Sequence, residues 1–164
     1  MTTRALTREA VWEALGEVPD PEIPVVSVVD LGLVHAVELY RERLRVELLP
    51  TFVGCPALEL IRDSVAERLA GMAPRVEVEM TFAVPWTSDR ITADGRRKLR
   101  ESGFAPPGGT GSPLFATIPL RPTAACAWCG SADTRLENLF GPTLCRTVFW
   151  CTRCRQPFEQ FKAV

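Results

Sequence analysis

Two C-x-x-C knuckles constrain this chain more than any other feature. Cys126-Ala127-Trp128-Cys129 and Cys151-Thr152-Arg153-Cys154 stand 21 residues apart. Four thiolates so spaced can surround one ion tetrahedrally, with zinc–sulfur bonds of about 2.3 Å. The spacing lies just beyond the usual zinc template, and the intervening length suits a hairpin. Gly130 follows the first knuckle, where the backbone must turn around sulfur. A module of about 40 residues cannot bury an adequate core alone, so a metal staple is expected. A rubredoxin-like iron site and a pair of disulfides are the alternatives. Cys145 fits neither knuckle; it reads either as a small buried residue or as a spare thiol for exchange or cluster binding.

Six cysteines without a secretory signal point to a reducing cytoplasm, because Met1-Thr2-Thr3-Arg4-Ala5 runs into a helical pattern and not an apolar leader. No apolar run approaches the roughly 20 residues that span a bilayer, so no membrane association is expected. The formal net charge of −1 gives no long-range attraction to nucleic acid or anionic lipid. The cysteine module, 123–164, carries Arg135, Arg146, Arg153, Arg155 and Lys162 against Asp133, Glu137 and Glu159. That excess is too small for phosphate-dominated binding, so a scaffold or protein-docking role is expected instead of nucleic acid. Trp128, Phe140, Phe149, Trp150, Phe158 and Phe161 supply a core and some exposed apolar surface.

Upstream, periodicity predicts an α+β domain over residues 1–104. Thr7 caps a helix that ends near Gly16, with Val11, Trp12 and Leu15 on one face. Residues 31–40 and 43–49 predict two strands joined at Arg41-Glu42. Leu58, Ile61, Val65 and Leu69 form one stripe of a helix running from Pro56 to about Ala70. Residues 76–82 predict a third strand, and 92–102 a last short helix. The sum is a small three-stranded sheet covered by helices. Residues 105–122, with five prolines and three glycines, predict a linker before the ribbon at 123–164.

Two stretches of the first domain carry candidate chemistry. Asp20-Pro21-Glu22-Ile23-Pro24 is a loop stiffened by prolines that holds two carboxylates. Thr51-Phe52-Val53-Gly54-Cys55-Pro56 places one thiol at a helix start, with Pro56 suited to the first helical position. Helix N–H groups there favour a thiolate, the form that binds metal or attacks an electrophile. The plain alternatives are a small buried cysteine and a solvated turn. Asp30 can cap a turn, and His35, the single histidine, lies in a strand and reads as structural or exposed.

These motifs in order, with Ser27-Val28-Val29-Asp30-Leu31-Gly32-Leu33-Val34, resemble the metal–sulfur cluster assembly family that includes SufT and the cytosolic iron–sulfur targeting factors. The likeness spans about residues 7–102. Trp86-Thr87-Ser88-Asp89-Arg90-Ile91-Thr92, Gly95-Arg96-Arg97-Lys98-Leu99, Phe104-Ala105-Pro106-Pro107 and the cysteine-rich tail are similar to the branch serving phenylacetate degradation. The resemblance implies a non-catalytic accessory subunit of a phenylacetyl-CoA epoxidase system, partnered by its oxygenase and reductase subunits, and aiding assembly or insertion of a metal centre. It implies structural zinc at Cys126, Cys129, Cys151 and Cys154. It also implies a transient iron or iron–sulfur cluster at Cys55, with Asp20, Glu22 and Thr51 around it. One thiol cannot saturate a cluster, so a homodimer or a client complex is expected. Three alternatives stand: an adaptor that only docks oxygenase subunits, a general iron–sulfur assembly factor, and an enzyme using Cys55 as nucleophile.

Overall fold

The computed structural model describes residues 6–52, 54–107 and 123–162, which fall into two compact units divided between Trp86 and Thr87. The first begins with helix α1, Arg8–Gly16, capped as expected: Thr7 Oγ1 accepts from the Ala10 N–H at 3.2 Å. Its apolar face buries Val11, Ala14 and Leu15. Strand β1, Val34–Tyr40, pairs antiparallel with β2, Arg43–Leu48, with Val37 opposite Val46. The first strand is shorter than its predicted span of 31–40. Local hydrogen bonds capture its start, with the Leu31 N–H donating to Ser27 O and the Leu33 N–H to Val28 O, and Gly32 turns the chain at φ +65°.

Helix α2, Leu58–Leu69, buries Ile61, Val65 and Leu69 of the predicted stripe, while Leu58, at its first position, is half-buried. It leads to β3, Arg75–Met80, which pairs parallel with β2. Parallel neighbours need a crossover, and α2 supplies it. The sheet order β1-β2-β3 puts β2 in the centre, with Leu44, Val46 and Leu48 fully buried. Each such side chain contributes about 1.5–3 kcal/mol through burial. The alternate residues form a charged lattice: Arg45 bridges Glu47 at 2.7 Å, Glu79 at 3.0 Å and Glu38 at 3.3 Å. Exposed pairs of this kind each contribute under about 1 kcal/mol.

The second unit opens with a 3-10 turn at Ser88–Arg90 and helix α3, Ala93–Glu101, whose Thr92 cap accepts from the Gly95 N–H at 2.9 Å. Strands β4 (Phe104–Ala105), β5 (Thr134–Asn138), β6 (Arg146–Cys151) and β7 (Pro157–Phe161) form one sheet in the order β4-β7-β6-β5. Phe149 and Phe158 face each other across β6 and β7 and stack at 5.6 Å between ring centroids. They share the core with Ala105, Ala124, Cys126 and Cys151.

The sequence assigns the helix over 92–102 to the first domain and residues 105–122 to a linker. In the structure α3 belongs to the second compact unit, and β4 is hydrogen-bonded alongside β7. Trp128 joins them. Its ring sits against Gly103, where an added Cβ would meet it at 2.2 Å, and its Nε1–H donates to Pro157 O at 2.9 Å. No periodicity announces such a contact, because it rests on a hydrogen atom standing where a side chain would otherwise be. Residues 108–122 of the expected linker lie outside the described residues.

Candidate metal and thiol sites

Each knuckle is a tight turn wound around its own backbone. The Gly130 N–H donates to Cys126 O at 2.9 Å, and the Arg155 N–H donates to Cys151 O at 2.9 Å. The Cys126 and Cys151 N–H groups close the loops on Ser131 O and Gln156 O. Both turns require a left-handed residue after the second cysteine. Gly130 takes φ +71° freely, whereas Arg155 takes φ +57° at a steric cost.

The two turns bring the four sulfurs within 4.8 Å of one another. Cys126 Sγ lies 3.6 Å from Cys154 Sγ, and Cys129 Sγ lies 3.7 Å from Cys151 Sγ. A tetrahedron with zinc–sulfur bonds of about 2.3 Å has edges of about 3.8 Å, so the four thiols fit this ion. The Cys151 thiol is lowered to about 7, chiefly by the Cys154 N–H directed at its sulfur. Burial pushes Cys154 up to about 12. A bound cation would hold all four as thiolates. Cys145 lies outside this cluster; its sulfur contacts Thr143 Oγ1 at 3.1 Å and its carbonyl accepts from the Lys162 N–H.

The first unit carries the other candidate site. The Asp20 N–H donates to Val26 O at 2.8 Å and the Val28 N–H to Val18 O at 3.0 Å, closing the carboxylate loop on itself. Ser27 and Asp30 lock the next turn reciprocally, Asp30 Oδ2 accepting from the Ser27 N–H and Ser27 Oγ from the Asp30 N–H. Asp20 is buried, and its Oδ1 accepts from the Glu22 N–H at 2.9 Å and the Ile23 N–H at 2.8 Å. That oxygen organises the loop. Glu22 stands on the loop so shaped, half-buried.

Cys55 lies beyond the end of β2, on the turn that leads into α2. Its N–H donates to Phe52 O at 3.1 Å, closing a turn that begins at Phe52, just after half-buried Thr51. The sequence places Pro56 at the opening of the helix. The helix instead starts at Leu58, with Ala57 as its cap residue, so Cys55 stands outside the first turn. Its thiol is nonetheless raised above the ordinary cysteine value, contrary to the expected thiolate, by its surroundings and not by the helix start. Burial contributes most, opposed by the Ala57 N–H; the charges of Glu22 and Asp20 add to the rise, and the Leu58 N–H opposes it. The same interactions put both carboxylates within electrostatic range of the sulfur, from stretches more than 30 residues apart. Val25 and Phe52, on these two stretches, are 48% and 43% exposed. His35 lies in β1 beside the register shift between Val34 and Ala36.

An α+β unit with a thiol and two carboxylates, joined to a four-cysteine β-ribbon, defines the class, and comparison with known proteins agrees. Residues 8–80 match the family described as iron-sulfur cluster assembly protein, and residues 111–162 match the PaaD zinc beta ribbon domain. The first unit's fold recurs in a domain of unknown function (DUF59) from Bacillus anthracis, at TM-score 0.52 and 26% identity over 56% of this chain and 89% of that one. It recurs also in a conserved hypothetical protein from Thermotoga maritima, at TM-score 0.51 and 32% identity over 60% of this chain and 98% of that one. A protein of Escherichia coli K12 named as the D component of 1,2-phenylacetyl-CoA epoxidase is 38% identical over 156 residues, 94% of this chain and 92% of that one. The chain belongs to this PaaD family of phenylacetyl-CoA epoxidase components. No helix among the described residues is long and apolar enough to cross a membrane.

Proposed function

We propose that this chain is a non-catalytic accessory subunit that aids assembly or insertion of an iron or iron–sulfur centre in a phenylacetyl-CoA epoxidase system. The observation that carries this reading is that the charges of Glu22 and Asp20 act on the Cys55 thiol within an assembly-type unit. Iron or a cluster is the cargo. At rest the thiol keeps its proton. When an iron arrives, the Cys55 S–H bond breaks, a sulfur–iron bond forms and the proton passes to the Glu22 carboxylate; no electron moves. Asp20 shapes the loop that presents Glu22. Handover reverses the step as client ligands displace the thiolate. One thiol leaves coordination positions open, which the oxygenase, the reductase or a second copy of this chain fills. Exposed Val25 and Phe52 offer apolar contact for that encounter. Zinc held by Cys126, Cys129, Cys151 and Cys154 pins the ribbon and takes no part in transfer.

The test is metal and acid-labile sulfide content of anaerobically purified wild type and Cys55→Ala, followed by iron loading of the oxygenase and reductase. The expected result is zinc in both, with iron and sulfide only in wild type. Full restoration of client iron by Cys55→Ala would overturn the thiol's role. A second reading, an adaptor that only docks oxygenase subunits, is favoured by Leu139, Phe140 and Leu144, which are exposed between β5 and β6. It expects Cys55→Ala to support client activity and a truncated Leu139–Leu144 hairpin to lose client binding.

A further inference from the structure

The strand register brings like charges together at the turn end of the first sheet. Arg43 on β2 pairs with Tyr40 on β1 and stands directly opposite Arg75 on β3. Like charges so placed destabilise a sheet unless something lies between them. Arg43 bridges Glu77, two residues further along β3 and on the same face. Among the described residues, neither Arg41 nor Arg75 has a carboxylate partner. Arg41 adopts φ +50°, a conformation that arginine takes at a cost, and its guanidinium lies 5.2 Å from the Tyr40 ring centroid. These side chains, with Glu42 and Pro74, line an open cavity of about 530 Å³.

We infer that this cavity is a binding site for a phosphorylated small molecule of nucleoside-phosphate size. Guanidiniums bind phosphate oxygens as planar forks, and Arg41 and Arg75, with Arg43 engaged by Glu77, outnumber Glu42, the one lining carboxylate. Tyr40, 66% exposed, carries the Arg41 guanidinium over its ring, and a base can stack on this planar pair. The volume falls within the range of small-ligand sites, about 300–1,000 Å³. An extended acidic segment fits less well, because Glu38, Glu47 and Glu79 occupy the same sheet just beyond the arginines and would repel it. The cavity lies at the opposite end of β2 from the Cys55 turn, so this site does not depend on the function proposed above.

Calorimetric titration of the full-length, zinc-loaded chain with pyrophosphate, ADP and hexaglutamate tests it. Pyrophosphate and ADP should bind, and Arg75→Ala should weaken both by about tenfold or more, the loss of one charge-assisted fork. Tyr40→Leu should weaken ADP and spare pyrophosphate. Arg135→Ala, on the exposed β5 strand, should change neither. Without ligand, Arg75→Ala should melt no lower than wild type, since it relieves the clash with Arg43, so lost binding would not reflect lost folding. The inference is overturned if neither phosphate probe shows Arg75-dependent binding. Hexaglutamate alone binding in an Arg75-dependent way would overturn it too, making the surface a protein-docking site.

Discussion

At the residue scale, Asp20 and Cys55 show how position changes chemistry. Asp20 is surrounded by prolines like any surface turn, yet it is buried with two backbone N–H groups on one oxygen. Asp20→Ala orphans both donors and should cost about 2–3 kcal/mol in urea denaturation, whereas Asp20→Asn, which keeps an acceptor, should cost less than half of that. Equal losses from both variants would mean that the charge, and not the acceptor geometry, holds the loop. Cys55 has a raised thiol, so alkylation by iodoacetamide should rise only above the pH at which an ordinary cysteine reacts. Removing the Glu22 charge takes away one cause of the rise. Glu22→Gln should therefore shift the alkylation profile of Cys55 to lower pH and speed labelling near pH 7. The linkage has a definite sign. With the folded value raised, the protonated thiol's contribution to stability is full below the ordinary cysteine value and is lost as pH climbs through the folded one. A profile that Glu22→Gln leaves in place would separate the two residues functionally.

At the element scale, the helices and strands that bury one face were legible. The Ile61, Val65 and Leu69 stripe and the Leu44, Val46 and Leu48 alternation are periodic signals, and the core follows them. The knuckles were legible because metal spacing is local. Three features were not. The turn at Leu31–Leu33 shortens β1 through hydrogen bonds that no hydropathy pattern encodes. The late start of α2 moves Cys55 out of the first helical turn, and burial, which no local pattern reports, raises its thiol although the Ala57 and Leu58 N–H groups oppose the rise. That the Glu22 charge acts on the Cys55 thiol is a tertiary effect that periodicity does not encode. Arg155 and Gly130 offer a test of element-level strain. They occupy equivalent places in the two knuckles at φ +57° and φ +71°. Arg155→Gly should raise the melting stability of the zinc-loaded chain by up to about 1 kcal/mol, and Gly130→Ala should lower it by about 1 kcal/mol. Nothing lies within 4 Å of a Cβ added at Gly130, so backbone strain alone sets that cost.

At the scale of the whole molecule, composition and contacts divide the chain at different places. Sequence composition draws a boundary after residue 104, just before the prolines that begin at Pro106. Contacts draw it between Trp86 and Thr87, because β4 extends the ribbon sheet and Trp128 lies over Gly103 at the end of α3. Removing the metal separates these divisions. The ribbon core is small, built on Phe149, Phe158 and a few alanines and cysteines. Zinc-binding energy in such modules is largely folding energy, of the order of 10 kcal/mol, so chelation should unfold the ribbon outright. Hydrogen exchange then reads the rest of the chain. Protection in β1, β2, β3, α1 and α2 should survive, since their core contains no metal ligand. Protection in α3 should fall together with that of β6 and β7, because Gly103, just past its Ser102 cap, and the adjoining β4 lose their partners when Trp128 and β7 disorder. Gly103→Ala should reproduce a milder form of this with zinc in place: its Cβ would collide with the Trp128 ring at a φ of +81°, loosening α3 while the four-sulfur site persists. If α3 stays protected in the zinc-free chain, the helix belongs to the first domain in energetic terms, and the division at residue 104 is the one that folding obeys.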